Sequence, residues 1–386
     1  MSKISSFIYN HIYSKIMEKC IDFFYYLPVK SNKIVMLHDY GLGYGDSPKY
    51  IAEALLKERV TYDIVWLVNN MSLEIPRPIR KVYLARIRSI YELATAKVIV
   101  TTMKGRANLR KKTNQFFIYI PHGQSGAKYV EKAAKGLGLS YIEGSKWHSS
   151  VSNLFLSSSK MQTQEMRDYF WYDGEIVEYG LPRNDIFFHF TVEDVVRIRK
   201  KINIEKDDFV VFYAPTFRNE SGLSVYGIDT NEIINAIQNK YHRNCKIIIR
   251  LHPNFIWYGK PDFNYSESII DVTDYPDIQE LLVVSDILIT DYSSTMFDFM
   301  LMKRPIFLFT KDIEEYQKMR GLKEWFFNVP FPICKNNNEL INAIINYVEQ
   351  KYKAGLESFN NLYGSLEDGR ATERIVERIK QEMNTI

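Results

Sequence analysis

No stretch of this sequence offers the roughly twenty consecutive apolar residues that a membrane-spanning helix needs. No signal-peptide pattern is visible at its start. Cysteine is scarce: Cys20, Cys245 and Cys334 are scattered without metal-ligand spacing. That excludes a disulfide scaffold and a paired zinc motif, and the three thiols read as reduced, small core residues of a cytosolic protein. Hydrolase elbows and kinase signatures are missing, as are the nucleic-acid-binding motifs, so no nucleic acid partner is expected. No metal-ligand cluster is visible, so no resident cofactor is expected. Mg2+ could still bridge ligand phosphates, because it keeps water ligands and needs few protein carboxylates.

What is present is a folded chain of 386 residues, 46% hydrophobic and 25% charged, long enough for two domains. Its net charge of +4 is unevenly spread. Eleven basic residues lie between Arg77 and Lys112, against Glu92 alone. The cluster Arg106, Arg110, Lys111 and Lys112 ends this run. Such a patch either attracts anionic lipid headgroups or a polyanionic substrate, or is a solvated face. Residues 1–27 read as one amphipathic helix. Ile4, Ile8, Ile12, Ile16 and Cys20 recur every four positions, and Pro28 ends it. This helix either lies on a membrane surface or packs on its own domain or a partner subunit.

From Lys33 onward, short apolar runs alternate with helical patterns. Strands are expected at Lys33–Leu37, Asp63–Val68, Lys97–Thr101 and Phe116–Ile120, then at Phe209–Tyr213, Cys245–Leu251 and Ile306–Phe309. The fold class is α/β, with two doubly wound Rossmann-like domains. Residues 1–32 are the segment that carries the amphipathic helix, 33–185 the first domain and 186–386 the second. Gly180–Leu181–Pro182–Arg183–Asn184–Asp185 is the turn between them. Residues 124–141, rich in Gly and Lys, show no period and read as a loop.

Ser285–Phe309 organises the second half. A strand runs into Thr290–Asp291–Tyr292–Ser293–Ser294–Thr295, and a helix then opens with Thr295 as cap and Asp298 as its capping-box partner. No glycine interrupts it, so neither a P-loop nor a Rossmann fingerprint applies. The stretch is either an anion site or simply a capped helix after a core strand. His122 and His252 each follow a strand. Singly, each is more often structural; as a pair facing one cleft they make an acid/base proposal. Arg218 has the fork to clamp a phosphate, whereas Arg250 lies inside a strand and could be an ion-pair partner.

Together, Tyr213–Ala214–Pro215–Thr216–Phe217–Arg218, Arg250–Leu251–His252–Pro253–Asn254 and Thr290–Asp291–Tyr292–Ser293–Ser294 followed by Lys303–Arg304–Pro305 resemble the CDP-glycerol glycerophosphotransferases. Those enzymes build teichoic acids and related capsular polymers in bacteria. Gly180–Asp185 and Asp46–Ser47–Pro48–Lys49–Tyr50 match further family segments. The resemblance implies a GT-B-like fold, a CDP-polyol donor and a lipid-linked saccharide or polyol-phosphate acceptor. It implies work at the cytoplasmic face of the cell membrane, peripherally on an anionic surface, with CMP released. By similarity His122 and His252 are catalytic, and Arg218, Thr216, Asp291, Ser293, Ser294 and Thr295 bind the donor. The basic cluster Arg106–Lys112 would serve the acceptor or the membrane. The family's Trp-His-Gly-Thr is Pro121–His122–Gly123–Gln124 here, so the acceptor side differs. Two other readings stand beside this one: a GT-B glycosyltransferase using a nucleotide sugar, and a non-catalytic binding subunit.

Overall fold

The computed structural model describes residues 15–38, 41–104, 109–123, 126–218, 222–252, 255 and 259–385. Two parallel sheets dominate. The first has seven strands: β1 (Lys30–Leu37), β2 (Asp63–Val68), β3 (Arg80–Tyr83), β4 (Ala96–Thr101), β5 (Phe116–Tyr119), β6 (Leu154–Leu156) and β7 (Glu175–Val177). Their spatial order is β3-β2-β1-β4-β5-β6-β7. The second sheet comprises β8 (Phe209–Tyr213), β9 (Cys245–Ile249), β10 (Ile269–Asp271), β11 (Ile287–Thr290), β12 (Ile306–Phe309) and β13 (Ile333–Cys334). Its order is β10-β9-β8-β11-β12-β13. Both orders reverse direction once, at β1/β4 and at β8/β11, the switch point where doubly wound sheets hold their ligands.

The strands are near-continuous apolar runs because helices cover both faces of each sheet. Ile34 and Met36 join one cluster of the first half, while Val35 and Leu37 join the cluster on the opposite face. In the second half Val210 and Phe212 face one way, and Phe209, Val211 and Tyr213 the other. Each such buried aliphatic side chain contributes about 1.5–3 kcal/mol.

Three expectations are corrected here. The domain division 33–185 and 186–386 fails at its end: the last helix, Ala371–Asn384, returns to the first sheet. Ile375, Val376, Ile379 and Met383 pack there with Ile34, Met36, Ile51 and Val98. Residues 139–141 do not extend the loop but open a helix, Leu139–Val151. Its buried face is Gly144, Ser145, His148 and Ser149, small and polar, so no hydrophobic stripe announces it. The capping box at Thr295 does not form. Ser294 precedes the Thr295–Met300 helix without a side-chain cap, and Asp298 is engaged elsewhere.

Residues 15–25 are helical; residues 1–14, with Ile4, Ile8 and Ile12, lie outside the described residues. The described part packs on the first half. Met17 is buried, and the ring of Phe24 meets Tyr91 edge-on at 5.8 Å. Lys112, expected in an exposed patch, is buried instead. Its ammonium donates to the carbonyls of Phe24, Leu27 and Ala94, closing the end of that helix. Elsewhere in the basic run Lys97 is also buried and Arg80, Lys81 and Lys104 are half-buried, whereas Arg77, Arg86, Arg88 and Arg110 stay exposed; the more buried a charge, the more it needs partners. Arg80 and Arg88 converge on Glu92, Lys97 donates to the Thr385 carbonyl, and Lys104 pairs with Glu131. Arg110 lies over the Tyr25 ring at 4.1 Å, Lys111 is half-buried, and Arg106 lies outside the described residues.

Candidate active site

The loops at the carboxyl ends of the strands supply the site. In the second half, Asp291 is the organising group. Its Oδ1 accepts from the Thr216 N–H at 3.0 Å and the Tyr292 N–H at 2.6 Å. Its Oδ2 lies 2.9 Å from the same Thr216 nitrogen and 2.8 Å from Arg218 Nη2. The loops after β8 and β11, on either side of the switch point, are thereby locked together.

Arg218 lies inside this lock. Its guanidinium meets Asp312 at 2.6 Å and donates to the Thr216 carbonyl at 2.8 Å. The rings of Tyr226, Tyr292 and Tyr316 surround it at 5.1–5.7 Å. Tyr292 donates its hydroxyl to Asp312 at 3.0 Å. The expected phosphate clamp is therefore engaged by the protein's own carboxylates, two buried anions that need a buried cation. Burial and the neighbouring Asp312 push the Tyr292 phenol far above its ordinary range, so it remains a donor.

The hydroxyls divide into two kinds. Thr290 is structural, donating to the Ala214 carbonyl at 2.7 Å. Ser293 and Thr295 bond each other at 2.9 Å and are half-buried, as is Ser294. The Thr216 hydroxyl oxygen is buried and makes no hydrogen bond within the protein.

His122 follows β5 and is exposed. Its Nδ1 lies 3.3 Å from the Thr102 carbonyl oxygen. A carbonyl only accepts, so in this contact Nδ1 carries the proton and the neutral ring's lone pair is on Nε2. Gly123, next to it, approaches the second half so closely that a Cβ there would lie 2.8 Å from Ser294 Oγ. His252, after β9, is also exposed, its ring near-parallel to Phe217 at 5.9 Å. A connected series thus runs from His252 through Phe217, Thr216, Asp291 and Ser294 to Gly123 and His122. Pro253, Asn254 and Gln124 lie outside the described residues. Arg250 falls just past the end of β9 rather than inside it; it is half-buried, and its backbone N–H donates to the Tyr213 carbonyl.

Lys128, which sequence reasoning did not single out, lies within electrostatic reach of Asp291. Lys128 bridges Leu322 in antiparallel fashion, and Ala127 accepts from the Lys323 N–H at 2.9 Å. Lys323 in turn pairs with Glu165. This clips the segment across the cleft. Burial lowers the Lys128 pKa, and Asp291 partly opposes that shift. The aperiodic Gly- and Lys-rich stretch carried no signal for this placement.

Beneath the cleft, buried ionic groups join the halves. Lys49 and Tyr50 reach Asp277 at 2.6 and 3.0 Å. Asn184 donates to Asp298 at 3.2 Å and to Glu367 at 2.7 Å. Burial raises the Glu367 pKa from 4.5 to about 8, despite the opposing hydrogen bonds from Asn184 and Leu181. Between those values the native carboxyl keeps a proton that the unfolded chain has released. Stability attributable to Glu367 therefore falls as pH rises through that window and is level outside it. Thermal melts of the wild type and Glu367→Gln should diverge accordingly, the variant losing less from pH 5 to pH 8.5. Parallel slopes would show that Glu367 is not a buried neutral acid.

Among the described residues, no group of three or more His, Cys, Asp or Glu side chains is placed to hold a metal ion.

Residues 20–381 match the family described as CDP-Glycerol:Poly(glycerophosphate) glycerophosphotransferase. A teichoic acid poly(glycerol phosphate) polymerase of Staphylococcus epidermidis is 30% identical over 92% of this chain and 51% of its own length. The chain thus spans about half of that relative. A protein of the same description from Bacillus spizizenii is 28% identical, over 91% of this chain and 92% of its own. Among solved structures, the wall teichoic acid polymerase TagF, in a variant soaked with CDPG, superposes with a TM-score of 0.85 at 27% identity, covering 99% of both chains.

Proposed function

The chain belongs to the CDP-glycerol:poly(glycerophosphate) glycerophosphotransferase family, and from that premise we propose that it transfers glycerol phosphate from CDP-glycerol to an acceptor hydroxyl, releasing CMP. The acceptor is a lipid-linked saccharide or a growing polyol-phosphate chain, in teichoic acid or capsular polymer synthesis. The observation that carries this reading is the approach of Gly123 to Ser294, which brings the His122 loop against the hydroxyl-rich loop of the other half.

In this reaction the acceptor oxygen bonds to the β-phosphorus. The bond from that phosphorus to the bridging oxygen breaks, and CMP leaves with the oxygen. The acceptor's proton passes to Nε2 of His122, and His252 donates to the departing phosphate. Thr216, Ser293, Ser294 and Thr295 hold the diphosphate through their hydroxyls, and Lys128 adds positive charge from across the cleft. Arg218 and Asp291 act indirectly, by fixing the loops that carry these groups. Phosphoryl transfer suits such a site, since it needs positioning and charge neutralisation more than covalent help.

Purified protein is to be supplied with a glycerol-phosphate-primed acceptor and, separately, CDP-glycerol, CDP-ribitol and UDP-sugars. CMP release with CDP-glycerol is the expected result. Release with CDP-ribitol alone would change the polyol. Turnover of only a UDP-sugar would replace the reading with glycosyl transfer. Peripheral membrane contact is part of the proposal. No helix among the described residues is long and apolar enough to cross a membrane. Ile16 and Phe23 on the helical segment, and Tyr26 just past its end, are exposed near Arg110, the mix that interfacial binding uses. Co-sedimentation with phosphatidylglycerol vesicles should weaken in a Phe23→Glu, Tyr26→Glu variant; unchanged binding would remove that surface from the account.

A further inference from the structure

Two motif segments that the chemistry leaves unused, Asp46–Tyr50 and Gly180–Asp185, meet at one side chain. Arg183 is 2% exposed. Its Nη1 donates to Asp46 Oδ1 at 3.1 Å and to the Pro121 carbonyl at 3.3 Å. Its Nη2 donates to Asp298 at 3.2–3.3 Å. Those partners come from three places: the start of the helix after the Gly-rich loop, the residue before His122, and the helix that follows Ser294.

The partners are themselves constrained. Asp46 has φ +56°, a left-handed conformation that a non-glycine residue keeps only where its surroundings impose it. Asp298 is also held by Asn184 and, at 3.2 Å, by Gln279. Tethering two halves takes one carboxylate on each side. The Pro121 carbonyl adds nothing to charge balance, but it is the peptide oxygen immediately before His122. The planar guanidinium has donors at fixed angles, which an ammonium lacks.

We propose that Arg183 is a positioning residue for the transfer, holding the peptide before His122 and the helix after Ser294 on one guanidinium so that His122 is set against the donor's phosphates. This rests on the functional reading above. Misplacing a reacting group by about 1 Å can cost ~10²-fold in rate.

The test is a double-mutant cycle with CMP release as readout. Arg183→Lys is measured alone and in a His122→Ala background. Expected alone is a kcat loss of at least ~10-fold with the KM for CDP-glycerol changed less than ~3-fold. Expected in the His122→Ala background is a further change of less than ~2-fold, because Arg183 acts through His122. Multiplying effects would mean that Arg183 only stabilises the fold, and would overturn the proposal. Should Arg183→Lys fail to fold, Asp46→Asn runs the same cycle, since its amide oxygen can still accept from Nη1; multiplying effects there overturn it equally. A wild-type protein releasing no CMP would sink the functional reading and this proposal with it.

Discussion

His122→Ala and His252→Ala each lower CMP release from CDP-glycerol by ~10²–10⁴-fold, the range expected for losing a general acid or base. Both rings are exposed. Their removal leaves the melting temperature close to wild type, which separates lost chemistry from lost fold. A variant keeping more than about a tenth of the wild-type rate would exclude that ring from proton transfer.

Asp291→Ala destabilises the protein by about 3–5 kcal/mol, the cost of breaking a buried ion pair from one side. The substitution strips Arg218 of one of its two carboxylates. It also leaves the Thr216 and Tyr292 N–H groups without their acceptor. Because those peptides shape the loops on both sides of the switch point, the affinity for CDP-glycerol falls as well. Asp291→Asn keeps an acceptor oxygen and should fall between wild type and Ala in denaturant titration. A loss under ~1 kcal/mol for Asp291→Ala would mean that Asp312 alone suffices for Arg218.

How much of this was legible in the sequence depended on whether the information was local. Phe209–Tyr213 and Ile306–Phe309 are strands at the expected bounds, because each is an apolar run flanked by polar breaks. Val192–Lys201 is equally clear: Thr191 and Asp194 close a capping box at its start. The loops carrying His122, His252 and Ser293–Thr295 could be named because each follows such a strand. Long-range pairing was not legible. Arg218 looks available until Asp291 and Asp312 are brought to it from 73 and 94 residues away. Lys112 looks like surface charge until three backbone carbonyls are folded over it. Nothing local to the last helix says which sheet receives its apolar side.

That last helix makes the chain cross between the halves twice. The outward crossing, near Pro182–Asp185, and the return crossing, near Gly369–Thr372, lie side by side. Asp185 accepts from the Ala371 and Thr372 N–H groups at 3.0 and 2.7 Å, and the His189 ring contacts the Gly369 carbonyl at 2.7 Å. Any opening of the cleft must therefore turn about this doubled strap. A single linker would leave the halves free to swivel on their long axis; a paired one resists that twist and favours a clamshell stroke.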